Sequence, residues 1–238
     1  LLYGLDRPLT GISRYTLELV RALADLHPRP EIHLLAAGPL GPLAGQTPFP
    51  VHPLPGCRLL PFLLSLGSLW LPLLARRFQL DLIHDPTGVT PLFFGAGCSR
   101  VVTTIHDVFP WSVPGHSSRL DHWIYHSWLP HLLARRADHV ITVSRQSSLD
   151  IVKFLNYPQN KIQVIPQGIS PLFHPISADQ ALAYLFDRYQ LQPPYLLFLG
   201  SLTRRKNLAR ALQAFALVAH SRPSLRFVLV GPRAWLNT

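Results

Sequence analysis

Short apolar runs alternate with stretches of three-to-four-residue apolar spacing along the first 174 residues. That alternation predicts parallel βαβ units. Residues 1–5 read as the first strand. From Gly11 the apolar positions Ile12, Tyr15, Leu19, Leu23 and Leu26 follow three-to-four-residue spacing and predict a helix. Strands are predicted over 31–36, 81–84 and 100–105, the last two delivering His84 and His106 at their ends. A helix over 118–136 carries Arg135 and Arg136 in its last turn, where cations suit the helix dipole. A strand over 139–143, a helix over 145–155 and a strand over 161–165 follow. Prolines gather in 39–61, which reads as loop.

Prolines also punctuate 171–193, with a short helix expected over 178–189. Beyond lie a strand over 195–199, a turn opened by Gly200, a helix over 208–219 and a strand over 225–230. Three parts are therefore expected: a Rossmann-like domain over 1–174, a linker over 175–193, and an incomplete domain over 194–238. One βαβ unit has too little surface to bury to stand as a domain. The chain has no Met, not even at position 1, so a truncated or processed start is expected as well.

Residues 59–75 (LLPFLLSLGSLWLPLLA) carry no charge and are followed by Arg76-Arg77. A spanning helix needs about 20 apolar residues, with a lower limit near 17. This segment sits at that limit and contains Pro61, Gly67 and Pro72, so a buried or interface-seated helix is expected. With the Arg-rich helices, it also motivates a peripheral membrane contact.

Composition adds that the 238 residues are 48% hydrophobic and only 14% charged, enough to bury a core. The net charge of +10 is unevenly spread: +4 over 1–174 (14 basic, 10 acidic) and +6 over 175–238 (8 basic, 2 acidic). Such charge can serve nucleic acid, but no recognisable nucleic-acid module accompanies it, and no such partner is expected. Cys57 and Cys98 give neither a disulfide framework nor metal-ligand spacing and read as packing residues. There is no P-loop, no G-x-S-x-G, no H-E-x-x-H and no D-x-D pair, so no metal site is predicted.

Four constellations could carry chemistry. Arg204-Arg205-Lys206 precede Asn207, a helix N-cap candidate, so backbone amides and cations would meet an anion there. A solvated basic turn explains the same residues. Gly11-Ile12 lies between strand and helix, where glycine admits a ligand or simply makes a turn. His106-Asp107 follows the strand 100–105, and ligands of open parallel sheets bind beyond the carboxyl ends of strands. His84-Asp85 stands at a similar end; each could instead cap a loop. Trp123, Tyr125, His126, Trp128 and His131 could seat a sugar or headgroup, or merely pack a helix.

In order, the chain reads Gly11-Ile12-x-Arg14-Tyr15, Asp81-Leu82-Ile83-His84, Thr104-Ile105-His106-Asp107 and Arg136-Ala137-Asp138 through Ser144. Ile165-Pro166-Gln167-Gly168, Leu199-Gly200 with Arg205-Lys206-Asn207, and Val230-Gly231-Pro232 follow. This series resembles the family 4 glycosyltransferases of GT-B architecture, in which two Rossmann-like domains face each other. It is most similar to their mannosyltransferase-like bacterial branch, which makes cell-surface polysaccharide.

The resemblance implies an α/β fold: an N-terminal Rossmann-like parallel-sheet domain plus the first βαβ part of a second. It implies that Gly11 and Ile12 present amides to a donor diphosphate. Gly200, Ser201, Arg204, Arg205 and Lys206 would bind that diphosphate from the second domain. His106, with Asp107 beside it, would act at the transferred sugar, while His84, Ser144 and Gly168 would shape the cleft. The substrates would be a GDP- or UDP-hexose, with mannose among the hexoses, and a glycan or lipid-linked acceptor. The reaction would be retaining, without metal or other cofactor, and cytoplasmic, on the inner face of the plasma membrane if peripheral. Three departures stand out: Ser201 replaces a common Arg, Gln167 and Ser170 replace Asn and Asp, and the family's paired-glutamate segment has no counterpart. Little or no activity is therefore expected of residues 1–238 alone. A GT-B sugar-nucleotide epimerase and a non-catalytic basic anion-binding module stay open as alternatives.

Overall fold

A computed structural model describes residues 1–3, 5, 10–88, 95–97, 99–108, 136–203 and 206–232. Apart from Arg136, the expected helix over 118–136 lies outside these residues, as do Cys98, Arg204 and Arg205. The chain divides into two compact units, residues 1–168 and 169–238. The division falls before the expected boundary at 174, and the stretch expected as a linker lies inside the second unit.

In the first unit, α1 (Gly11–Ala24) starts at Thr10, whose side chain accepts from the Ser13 amide. Its buried face is Ser13, Thr16, Leu17 and Val20, while Ile12 and Leu26 are exposed. The buried face is thus rotated from the apolar stripe. Thr16 can be buried because its hydroxyl donates to the Ile12 carbonyl one turn back, leaving no polar group unpaired.

Strand β1 (Leu34–Ala36) is wholly buried and pairs in parallel with β2 (Val51–Pro53). β2 lies in the stretch read as loop. Three residues ending in Pro53 give no measurable alternation, and β2 lies at the outer edge of its pair, where that proline is tolerated. On the other side of β1, the Leu2 amide donates to Leu35 O and the Ala37 amide to Leu2 O. The Leu1 amino nitrogen donates to His84 O at 2.8 Å, in β3 (Leu82–Asp85). Among the described residues of the strand expected over 1–5, the pairing is a single bridge at Leu2, seated between β1 and β3.

From there the order is β3, β4 (Arg100–Ile105), β5 (His139–Thr142) and β6 (Ile162–Val164), all parallel. The chain runs outward from its first residues to β1 and β2, then returns to build β3–β6 on the opposite side. That reversal creates a switch point, where two connections leave the carboxyl edge in opposite directions and open a crevice.

Adjacent residues of a strand point to opposite faces. Leu34 packs with Leu2, Leu17, Val20 and Phe49, while its neighbour Leu35 packs with Leu54, Leu63, Leu71, Ile83 and Val101. Both faces of the sheet are thereby covered. Cys57 belongs to the second cluster as a buried free thiol. A third cluster joins Ile105 and Val140 to Ile151 and Leu155 of α4 (Arg145–Leu155), with the Tyr157 hydroxyl donating to Ala137 O.

Residues 59–75, expected as a buried or interface-seated helix, fold as α2 (Leu60–Phe62), a π-helical turn (Leu63–Gly67) and α3 (Ser68–Arg77). A wide turn ahead of Pro72 is a usual answer to an interrupted hydrogen-bond ladder. Leu63, Gly67, Ser68, Leu71 and Ala75 are buried, and the other side faces out.

The second unit has α5 (Ala178–Tyr189), β7 (Tyr195–Leu199), α6 (Leu208–Ala219) and β8 (Arg226–Val230). β7 and β8 pair in parallel from Tyr195↔Arg226 to Leu199↔Val230. None of its described residues is buried, which is what one βαβ unit allows.

The two faces of α3 give an expected contrast. Leu71→Ala, at a fully buried position, should cost about 2–5 kcal/mol in urea unfolding. Leu73→Ala, on the exposed face, should stay within about 0.5 kcal/mol. Equal losses would refute the orientation of this helix.

Candidate functional site

The carboxyl edge of the first unit gathers five pieces of chain. Thr103 and Thr104 of β4 are fully buried, and Thr104 Oγ1 lies 2.9 Å from His84 Nε2 on β3. This bond ties the two strand ends together. Next along β3, Asp85 is fully buried, and its Oδ1 accepts from the Thr87 amide (2.9 Å) and the Thr87 hydroxyl (2.6 Å). The turn closes at Gly88, with φ of 75° and with the Thr104 carbonyl 3.0 Å from where a Cβ would stand. Here glycine is required on both counts.

His106 stands one residue beyond β4. Its Nε2 lies 2.9 Å from the Pro86 carbonyl, which can only accept, so Nε2 carries the proton. In the neutral ring Nδ1 is then an acceptor, and the Gln167 side-chain amide lies 3.5 Å from it. Tyr15 of α1 meets the imidazole edge-on, with ring centroids 4.8 Å apart at 84°. Such pairs contribute about 0.5–1.5 kcal/mol and fix ring orientation. A third restraint comes from α4: Ser144 caps it, its hydroxyl donates to Ser147 Oγ, and Ser147 Oγ donates to His106 O.

The structure therefore brings together α1, His84, His106, Ser144 and the segment carrying Gly168. Gly11 is the first residue of α1, with open space where a Cβ would go, and Ile12 is exposed beside it. Asp107 is exposed, next to His106. Gly168 is exposed, again with open space around its Cα. The amino termini of α1 and α4 lie at this edge, so their unpaired amides favour an anion. Tyr15, Ser147 and Gln167 are additions to the sequence-derived set. Tyr15 lies in the Gly11–Tyr15 motif, and Asp85-Pro86-Thr87-Gly88 has turn chemistry, but only the fold shows that they meet His106.

In the second unit, Gly200 ends β7 with φ of 151°, and its amide donates to Val230 O. Gly231 abuts it so closely that a Cβ there would collide with the Gly200 carbonyl. Ser201 is half-buried and Lys206 exposed. Asn207 is not the expected capping group. Its backbone is left-handed (φ 52°) and its side chain makes no capping hydrogen bond to α6. Asparagine tolerates that conformation well, so the turn, rather than the cap, accounts for it. Arg204 and Arg205 lie outside the described residues. Among the described residues, no cluster of three or more His, Cys, Asp or Glu could hold a metal ion.

The model of Glycosyltransferase Family 4 matches residues 9–171, and the chain belongs to that family. O-antigen chain mannosyltransferase B of Escherichia coli is 29% identical over 96% of this chain. The chain spans 62% of that relative's length. HepE of Anabaena, solved in complex with UDP and glucose, superposes with a TM-score of 0.64 at 20% identity. That match covers 97% of this chain and 60% of HepE. A glycosyltransferase from Rickettsia africae gives a TM-score of 0.54 at 12% identity, covering 94% of this chain and 66% of its own. These likenesses show the fold: α/β with parallel sheets, part of a GT-B glycosyltransferase.

The site has a pH signature. Burial pushes the His84 imidazole down to about 4; the Leu1 amino group adds to this and Asp85 opposes it. The folded pKa lies below the ordinary 6.5, so the neutral ring is the stabilised form. Its contribution is present above pH 6.5 and is lost as pH falls through that value toward 4. Urea unfolding should show a loss of up to about 3 kcal/mol across this window. His84→Gln, which can keep the hydrogen bond to Thr104, should flatten that slope; an unchanged slope would assign it to other groups.

Proposed function

We propose that the chain is the acceptor-side domain, and the opening of the donor domain, of a retaining hexosyltransferase. The enzyme moves a hexose, with mannose the first candidate, from a GDP- or UDP-hexose to a glycan or lipid-linked acceptor in cell-surface polysaccharide synthesis. It works in the cytoplasm. One observation carries this reading in a family 4 chain: α1, Tyr15, His106 and Gln167 converge at the carboxyl edge of the parallel sheet. The mannosyltransferase relative supports the sugar. The UDP and glucose held by HepE support a nucleotide-sugar donor.

In this reading the amides of Gly11 and Ile12 face the donor diphosphate. Gly200, Ser201, Arg204, Arg205 and Lys206 are the donor-binding residues of the second unit. His106 touches the transferred sugar, with Nδ1 accepting from a hydroxyl in place of the Gln167 amide; Asp107 stands beside it. His84, Ser144 and Gly168 shape the cleft. The acceptor oxygen bonds to the anomeric carbon on the face from which the diphosphate oxygen departs. The departing phosphate takes the acceptor proton. No metal or cofactor enters, and the protein contributes position and stabilisation of phosphate charge.

Donors are assayed against an oligosaccharide or polyprenyl-linked acceptor, using residues 1–238 and a chain extended to the length of the O-antigen relative. The extended chain should transfer a hexose and residues 1–238 should not. His106→Ala in the extended chain should lower kcat at least about 100-fold, while urea unfolding loses only the ring contacts, about 0.5–1.5 kcal/mol. An epimerised donor without glycosidic product would overturn the reaction, and equal turnover by both chains would overturn the division of labour.

A further inference from the structure

The segment that precedes and forms α2, the π turn and α3 has one face in the core and one in solvent. Leu59, Phe62, Leu66, Leu69 and Leu73 recur at intervals of three and four residues, and each is 39–59% exposed. Their partners on the inner side, Leu63 and Leu71, are fully buried. The outer row is thus a continuous apolar stripe over residues 59–73, about 21 Å long at about 1.5 Å per residue. Nothing polar interrupts it. Ser65 lies alongside, but its hydroxyl donates back to Pro61 O at 2.9 Å.

Charge frames this stripe. No charged residue occurs between Arg58, which precedes it, and Arg76-Arg77, which close it. All three are exposed, and the chain carries +10. Stripes this size are uncommon on solvated surfaces and mark contacts. The shape selects the contact. A convex helix face with cations at both ends matches acyl chains beneath anionic headgroups, which need no complementary groove. No helix of the described residues is long and apolar enough to cross a membrane, so this one would lie along it.

We infer that Leu59, Phe62, Leu66, Leu69 and Leu73 form a docking face for an anionic lipid bilayer, with Arg58, Arg76 and Arg77 at the headgroups. This rests on the surface of the first unit alone and is independent of the transferase reading. It specifies which face meets the membrane and that the helix lies in the interfacial plane.

Residues 1–238 are sedimented with vesicles of phosphatidylcholine and of phosphatidylcholine with about one-third phosphatidylglycerol. Binding should favour the anionic vesicles by about tenfold and weaken as salt rises. Leu66→Glu/Leu69→Glu should abolish it. Leu217→Glu, at an exposed apolar position of the second unit, should leave it intact. Arg76→Gln/Arg77→Gln should lower binding to the anionic vesicles only, and serves as the readout if the Glu variants shift the urea midpoint. No sedimentation with either vesicle overturns the inference. So does equal loss in the Leu217 variant, or self-association in sedimentation velocity that the Leu66/Leu69 variant abolishes.

Discussion

Parallel pairing of β3, β4 and β5 forces these strands to deliver their carboxyl ends to one edge of the sheet. Asp85 stands opposite Thr103, and Ile105 opposite Thr142, so His84, His106 and Ser144 leave the sheet within a few residues of one another. The first residues of the chain, held between β1 and β3, place α1 on the same edge. A single antiparallel strand here would send one of these side chains to the other end of the sheet. The candidate site is therefore a consequence of register before it is a consequence of side-chain identity.

Buried polar groups hold that register at the edge. Thr104 bonds to His84, Thr142 to the Ile105 carbonyl, and Asp85 to its own turn at Thr87. Each is satisfied, so burial costs little, whereas deleting one partner would strand the other in a dry interior. The same logic orients His106. The Pro86 carbonyl accepts from Nε2–H, the Ser147 hydroxyl donates to its backbone carbonyl and Tyr15 packs against the ring, so Nδ1, 3.5 Å from the Gln167 amide, is the ring's acceptor.

The two units differ in how far hydrophobic burial can go. The first covers both faces of its sheet and fills three clusters. Among its described residues the second has two strands and two helices, and leaves Leu199 75% and Leu217 82% exposed. Its conformation leans on local devices: the Gly200–Gly231 approach, the Asn207 turn, and the Ser177 side chain that accepts from the Gln180 amide to cap α5. The helix over Ser68–Arg77 combines both regimes, with Leu71 in the core and Leu73 in solvent.

Local chemistry was legible in the sequence wherever it was periodic over several residues. Arg100–Ile105, Arg145–Leu155, Ala178–Tyr189, Tyr195–Leu199 and Leu208–Ala219 fold over the spans read from apolar spacing. His84 and His106 were visible as strand ends for the same reason. β2 was not visible, because three residues ending in Pro53 carry no period and take their conformation from β1. The buried face of α1 was not legible in the apolar spacing, because it includes Thr16, whose hydroxyl bonds to Ile12 O. Nor could spacing show that Tyr15, Pro86, Ser147 and Gln167 surround one histidine. Those contacts join residues 20 to 91 positions apart. Chain order supplies the residues, but only the packing of a parallel sheet with its helices determines which of them meet.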